Sequence, residues 1–243
     1  MSRLPRHDGP GRVFHVTSRV NWRAWHLGDD AAKKSLADLL ASAANEFGVA
    51  LLAYVLMSNH FHVVVQSPPA VLYGRLTGRR TGCRHFRAWP RQHPNSSVIG
   101  QFMRIVRRTM SVRRQNELCL SGRFWEAAYD ARLVRGPLSL VARIAYDHRN
   151  PVKQGMVSVP EAYRWSSAQE WTTGGIGDIA LTLPDTLPFG LAFDELRRDV
   201  LRYQSAQQFD DIGKELGSLF AADAADEALR RLFVECGIDA AGR

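Results

Sequence analysis

Two short apolar runs, Ala50 to Met57 and His60 to Gln66, are separated only by Ser58-Asn59. Each is about the length of one strand and rich in Val and Leu, and the dipeptide between them is turn-forming, so the pair reads as tightly connected antiparallel strands. A sheet is thereby imposed on whatever else the chain does. Arg12 to Val20 supplies a further strand, alternating Val13, His15 and Thr17 against Phe14, Val16 and Ser18.

Helical spacing occupies much of the remainder. From Asp29 to Phe47, Leu36, Leu39, Leu40, Ala43 and Phe47 recur every three or four residues until Gly48 ends the pattern. Val98 to Gln115 repeats that spacing through Ile99, Phe102, Val106 and Met110, with Arg104, Arg107, Arg108, Arg113 and Arg114 on other faces. Pro137 to Arg149 opens on a proline and is expected to stop before Pro151. Gly122 to Val134 reads as strand-like, and Ser67 to Asn95 as a long basic loop. Gly174 to Pro188, rich in Gly, Pro and Thr, reads as a linker, and Phe193 to Leu219 and Ala224 to Cys236 as two acidic amphipathic helices. The expected fold class is α+β, a central antiparallel sheet flanked by helices with an α-helical C-terminal extension. The expected division is 1–173, a linker at 174–188, and an extension at 189–243.

Charge narrows the partners. Residues 1–175 hold 25 Lys+Arg against 11 Asp+Glu, whereas residues 176–243 hold 7 against 13. Phe47 to Asn116 contains no acidic residue, and 11 arginines fall between Arg75 and Arg114. One-signed charge on this scale suits contact with a polyanion. Cys83, Cys119 and Cys236 fit neither a disulfide framework nor a zinc motif. Without a secretory signal or an apolar span, the expected location is the cytoplasm.

His60-Phe61-His62 is the sharpest chemical signal. Residues two apart on a strand share a face, and paired neutral imidazoles bind divalent metals. Tyr146 and Asn150 are one helical turn apart, so a phenol and an amide oxygen share a helix face. A phenol with an ordinary pKa of about 10 is a poor nucleophile until a cation assists it. By themselves these residues also suit two solvent-facing or core-satisfied histidines, a core tyrosine, and an asparagine capping a helix before Pro151.

The segments YVLMSNHFHVVV (Tyr54 to Val65) and ARIAYDHRNPVKQGMVSVPEAYRWSS (Ala142 to Ser167) resemble two signature regions of the HUH single-tyrosine transposases. The branch they resemble is the REP-associated tyrosine transposases, relatives of the insertion sequence 200-like enzymes. The resemblance spans roughly residues 10–170. It implies the HUH endonuclease fold, related to ferredoxin-like and RRM-like sheets, with His60, His62 and Asn150 as ligands of Mg2+ or Mn2+ and Tyr146 as nucleophile. It implies nicking and strand transfer on single-stranded or hairpin DNA through a 5′-phosphotyrosine intermediate, by a monomer or homodimer.

Expected DNA contacts are Arg75, Arg79, Arg80, Arg84, Arg87, Arg104, Arg107 and Arg108, with Phe86 and Trp89 stacking on bases. The alternative is a domesticated, catalytically silent DNA-binding protein that keeps the same basic face.

Overall fold

The computed structural model describes residues 8–78, 97–174, 177, 179, 181, 187–205, 212–222 and 226–236. Four strands, β1 (Val13–Arg19), β2 (Ala50–Leu56), β3 (His60–Gln66) and β4 (Asp130–Leu133), form one antiparallel sheet in the order β2-β3-β1-β4. Around it lie α1 (Asp30–Phe47), α2 (Ala70–Gly78), α3 (Val98–Glu117), α4 (Pro137–Lys153), α5 (Ala168–Thr173), α6 (Phe193–Ser205), α7 (Gly213–Ala221) and α8 (Asp226–Glu235). The fold is α+β, as expected. Among the described residues, no helix is long and apolar enough to cross a membrane.

The sheet separates two cores. Phe14, Val16, Phe61, Val63 and Val65 point to one side, where α1 and α3 cover them with Leu36, Leu40, Phe102 and Val106. Val13, Ala53 and Val64 point to the other, beneath Leu140, Val141 and Ile144 of α4. A bulge between Leu51 and Ala53 lets β2 send Leu51 to the first core and both Leu52 and Ala53 to the second.

The acidic C-terminal helices form a layer over α4. Leu196, Val200, Leu216, Phe220, Leu229 and Phe233 are buried in the second core. One acid has a specific task. Gly136, the N-cap of α4, has no side chain, and Asp226 caps the helix from the start of α8: its Oδ2 accepts from Leu138 N–H at 3.0 Å and its Oδ1 from Ser139 N–H at 2.9 Å. A Cβ at Gly136 would fall 2.3 Å from Asp226 Oδ2, so glycine leaves room for the borrowed cap.

Several local expectations need correction. The expected loop after Ser67 begins with α2, whose Tyr73 and Leu76 pack on the first core; burying those side chains makes a helix worth forming. The expected strand from Gly122 to Val134 narrows to β4, joined only by a bridge between Trp125 and Val20, because Trp125 turns onto Phe61 and Arg107. Helix α4 runs through Pro151 to Lys153. There the missing N–H removes one bond from the final turn, and burial of Pro151 holds that turn in place. Over the span expected as one helix from Phe193 to Leu219, the described residues form α6 and α7, and Leu216 and Phe220 pack in the second core with α4. Cys119 and Cys236 are free thiols, and Cys83 lies outside the described residues.

Candidate active site

Strand register assembles one side of the site. His15 pairs with Val64, Thr17 with His62 and Arg19 with His60, and on the far side of β1, Thr17 pairs with Asp130 and His15 with Arg132. Directly opposed residues share a sheet face, so His15, Thr17, Arg19, His60, His62, Asp130 and Arg132 form one polar field. Helix α4 lies across that face. Its Leu140, Ile144 and Asp147 are fully buried, whereas Tyr146 and Asn150, on an adjacent side of the helix, are half-buried.

The tightest contacts centre on Asp147. His15 Nε2–H donates to Asp147 Oδ1 at 3.0 Å, and His62 Nδ1 lies 3.5 Å from that same oxygen, 3.3 Å from His15 Nε2 and 3.0 Å from Thr17 Oγ1. This buried His15, His62 and Asp147 group offers a donor set for a metal ion. Asp147 Oδ2 is buried without a hydrogen-bond partner, a carboxylate oxygen that is available to a cation.

His60 is fixed differently. Asn59 Nδ2 donates to the Arg23 carbonyl at 3.0 Å, which leaves Asn59 Oδ1 as the acceptor 2.6 Å from His60 Nδ1. The proton therefore sits on His60 Nδ1, and the lone pair on Nε2. The His60 and His62 rings meet edge to face at 5.1 Å.

Electrostatics keep both imidazoles neutral. Burial first, then Arg19, pushes His60 down to about 4, against the pull of Asp147. Burial pushes His62 down to about 3, with Asp147 opposing and His15, His60 and Arg19 assisting. Burial disfavours charge on Asp147, but His15 and His62 outweigh it and hold the carboxyl below its ordinary range. The Tyr146 phenol is raised, by burial and by Asp147, with Arg19 opposing. Arg19 thus acts on His60, His62 and Tyr146 alike.

Of the residues expected from sequence, the structure brings His60 and His62 together and sets Tyr146 beside Asp147 on α4. Asn150 lies one turn beyond Tyr146. His15, Thr17, Arg19 and Asp147 were missed. The alternation of β1 already placed His15 and Thr17 together, and Asp147 follows Tyr146 directly, so both signals were visible but lacked a partner.

The basic residues divide. Arg107 lies over the Trp125 ring at 5.3 Å, donates to the Ala127 carbonyl, and is pushed down to about 10 by burial. Arg104 is half-buried and Arg108 exposed. Arg114 is taken up by ion pairs with Asp29 and Glu117, each at 2.6 Å. Arg75 falls within α2, but its side chain is outside the described residues, as are Arg79, Arg80, Arg84, Phe86, Arg87 and Trp89.

Comparison with known proteins adds a match to part of the chain. Residues 12–81 match the family described as "Transposase IS200 like". Among solved structures, the chain is similar to one described as "Structure of the REP associates tyrosine transposase bound to a REP hairpin", with a TM-score of 0.48 and 15% identity over 79% of this chain and 99% of that one. A search of curated proteins gave no match.

Proposed function

We propose, from the IS200-like transposase sequence of residues 12–81, that this chain is a metal-dependent enzyme that nicks and rejoins single-stranded DNA at hairpin or palindromic sites. The observation that supports it most is the register of α4. Asp147, whose carboxylate contacts both His15 and His62, is preceded in the chain by Tyr146, so one helix carries a member of the imidazole cluster and, on its adjacent side, a phenol that feels the charges of Asp147 and Arg19.

In this reading, Tyr146 Oη bonds to a DNA phosphorus as the P–O3′ bond breaks, the phenolic proton leaves to solvent, and the departing oxygen takes up a proton as a 3′-hydroxyl. Return attack by a 3′-hydroxyl regenerates tyrosine and a continuous strand. His60, His62 and Asn150 would hold the Mg2+ or Mn2+ ion. Bound there, it would draw charge from a phosphoryl oxygen and favour ionisation of the phenol. Asn59 holds His60 from behind through Nδ1, while Thr17 and Asp147 approach His62 at its own Nδ1. Supports of this kind set the ring orientation of ligand histidines. Arg19 opposes the rise in the Tyr146 pKa and supplies positive charge on the same sheet face.

A second placement of the ion is favoured by the mutual 3.0, 3.3 and 3.5 Å separations of His15 Nε2, His62 Nδ1 and Asp147 Oδ1. Ligands bonded at about 2.0–2.1 Å stand about this far apart.

Incubation with Mn2+ and labelled hairpin DNA tests the assignment. A denaturation-resistant protein–DNA adduct is expected from the native chain and none from Tyr146→Phe. An adduct that persists in that variant removes Tyr146 as nucleophile.

A further inference from the structure

Trp22 and Trp25 are 91% and 77% exposed, and they flank Arg23 in the connection between β1 and α1. Tryptophan is highly buried on average, so two such exposed rings within four residues are unusual, and here the backbone adds a second oddity. Trp22 and Arg23 both occupy the left-handed region, at φ 57° and 54°, which costs a side-chain-bearing residue free energy.

Hydrogen bonds on both flanks hold the connection in this form. Val20 N–H donates to the Asn59 carbonyl at 2.8 Å and Leu27 N–H to the Ser58 carbonyl at 3.0 Å; Asn21 N–H donates to the Phe124 carbonyl at 2.8 Å. Asn59 is the joint with the active site, since its side chain binds the Arg23 carbonyl on one side and the His60 ring on the other. The two tryptophans are therefore tied, through one residue, to the end of β3 that carries the histidine pair.

The chain that carries them is basic. From Gly9 to Gly28 the chain has no acidic residue and includes Arg12, Arg19 and Arg23. The acids that follow are engaged: Asp29 pairs with Arg114, and Asp30 accepts from the Trp165 indole N–H.

We infer that Trp22 and Trp25 are a stacking platform for unpaired nucleobases of the DNA strand that enters the site, with Arg23 for the adjoining phosphate. The inference rests on the proposed single-strand DNA activity and names how that strand is gripped. A protein partner would match exposed aromatics equally well, but a segment with three arginines and no acid favours a polyanion whose units carry flat faces.

Binding without added metal tests the platform. Fluorescence anisotropy compares a labelled oligothymidylate with an abasic strand of equal length, which keeps the phosphates and lacks the bases. The native chain should prefer the oligothymidylate. Trp25→Ala should weaken oligothymidylate binding about 10-fold, leave abasic binding unchanged, and be rescued by Trp25→Phe. The double variant Trp22→Ala/Trp25→Ala should lose the preference altogether. Equal thermal midpoints will show that the fold is retained, as expected for such exposed positions. A native-level preference in the double variant overturns the platform alone. Failure of the native chain to bind either strand overturns the platform and the proposed DNA activity together.

Discussion

The Tyr146 ring stands edge-on to Phe220, with centroids 5.6 Å apart and planes at 89°. Phe220 belongs to α7, and Arg143 lies over its ring at 4.4 Å while also donating to its carbonyl at 3.3 Å. A residue of the acidic C-terminal layer thus fixes the side chain proposed to attack DNA. Phe220→Ala should lower stability by about 3 kcal/mol in urea unfolding and slow adduct formation with hairpin DNA. An unchanged adduct rate would mean that Tyr146 orients without its neighbour.

Asp226 gives a second test of that layer. Its carboxylate serves two N–H groups of α4, so Asp226→Ala should cost about 1 kcal/mol, while Asp226→Asn, which keeps an acceptor, should lose less. Equal stability of the alanine variant would show that solvent caps α4 equally well.

The two ion placements give opposite results in a Mn2+ titration read by calorimetry. If the ion sits on His60, His62 and Asn150, His60→Ala should abolish measurable binding, whereas Asp147→Asn, acting through the His62 ring, should weaken it about 10- to 100-fold. If it sits among His15, His62 and Asp147, His15→Gln should abolish binding and His60→Ala should spare it.

Acid should destabilise the fold before it titrates ordinary carboxylates. His62 is held near 3 by burial, and His148, buried between Gln204 and Ser167, near 4. An unfolded histidine takes up a proton near pH 6.5, so each folded-state pKa is depressed. Above about pH 6.5 both states are neutral and stability is flat; below it the unfolded chain binds protons that the fold refuses. Stability should fall by up to about 1.4 kcal/mol per pH unit for each histidine, levelling for His148 near 4 and for His62 near 3. Urea midpoints taken across this range check the slope, which should be shallower in His148→Gln.

The parts legible in sequence were local ones. The pattern of β3 declared that His60 and His62 share a face, and helical spacing put Tyr146 and Asn150 together, because both relations arise within one element. His15 joined them only through the pairing of β1 with β3, and Asp147 only through the docking of α4 across that pair. The cap from Asp226 was less visible still, since a glycine at the N-cap announces no partner and its acceptor lies 88 residues away from Leu138. Around Tyr73 and Leu76 the sequence shows no helical period, because arginine and glycine adjoin them, yet burial against the first core decides for a helix.

The borrowed cap and the Phe220 contact also set an order of events during synthesis. A chain made from its N-terminus presents the sheet, both histidines and the tyrosine while Phe220 and Asp226 are still to come. Until those late residues emerge, α4 lacks its cap and the phenol its neighbour. The nascent protein therefore carries the residues proposed to cut DNA well before it can aim them, and competence for the proposed reaction should arrive only once the C-terminal helices have been made.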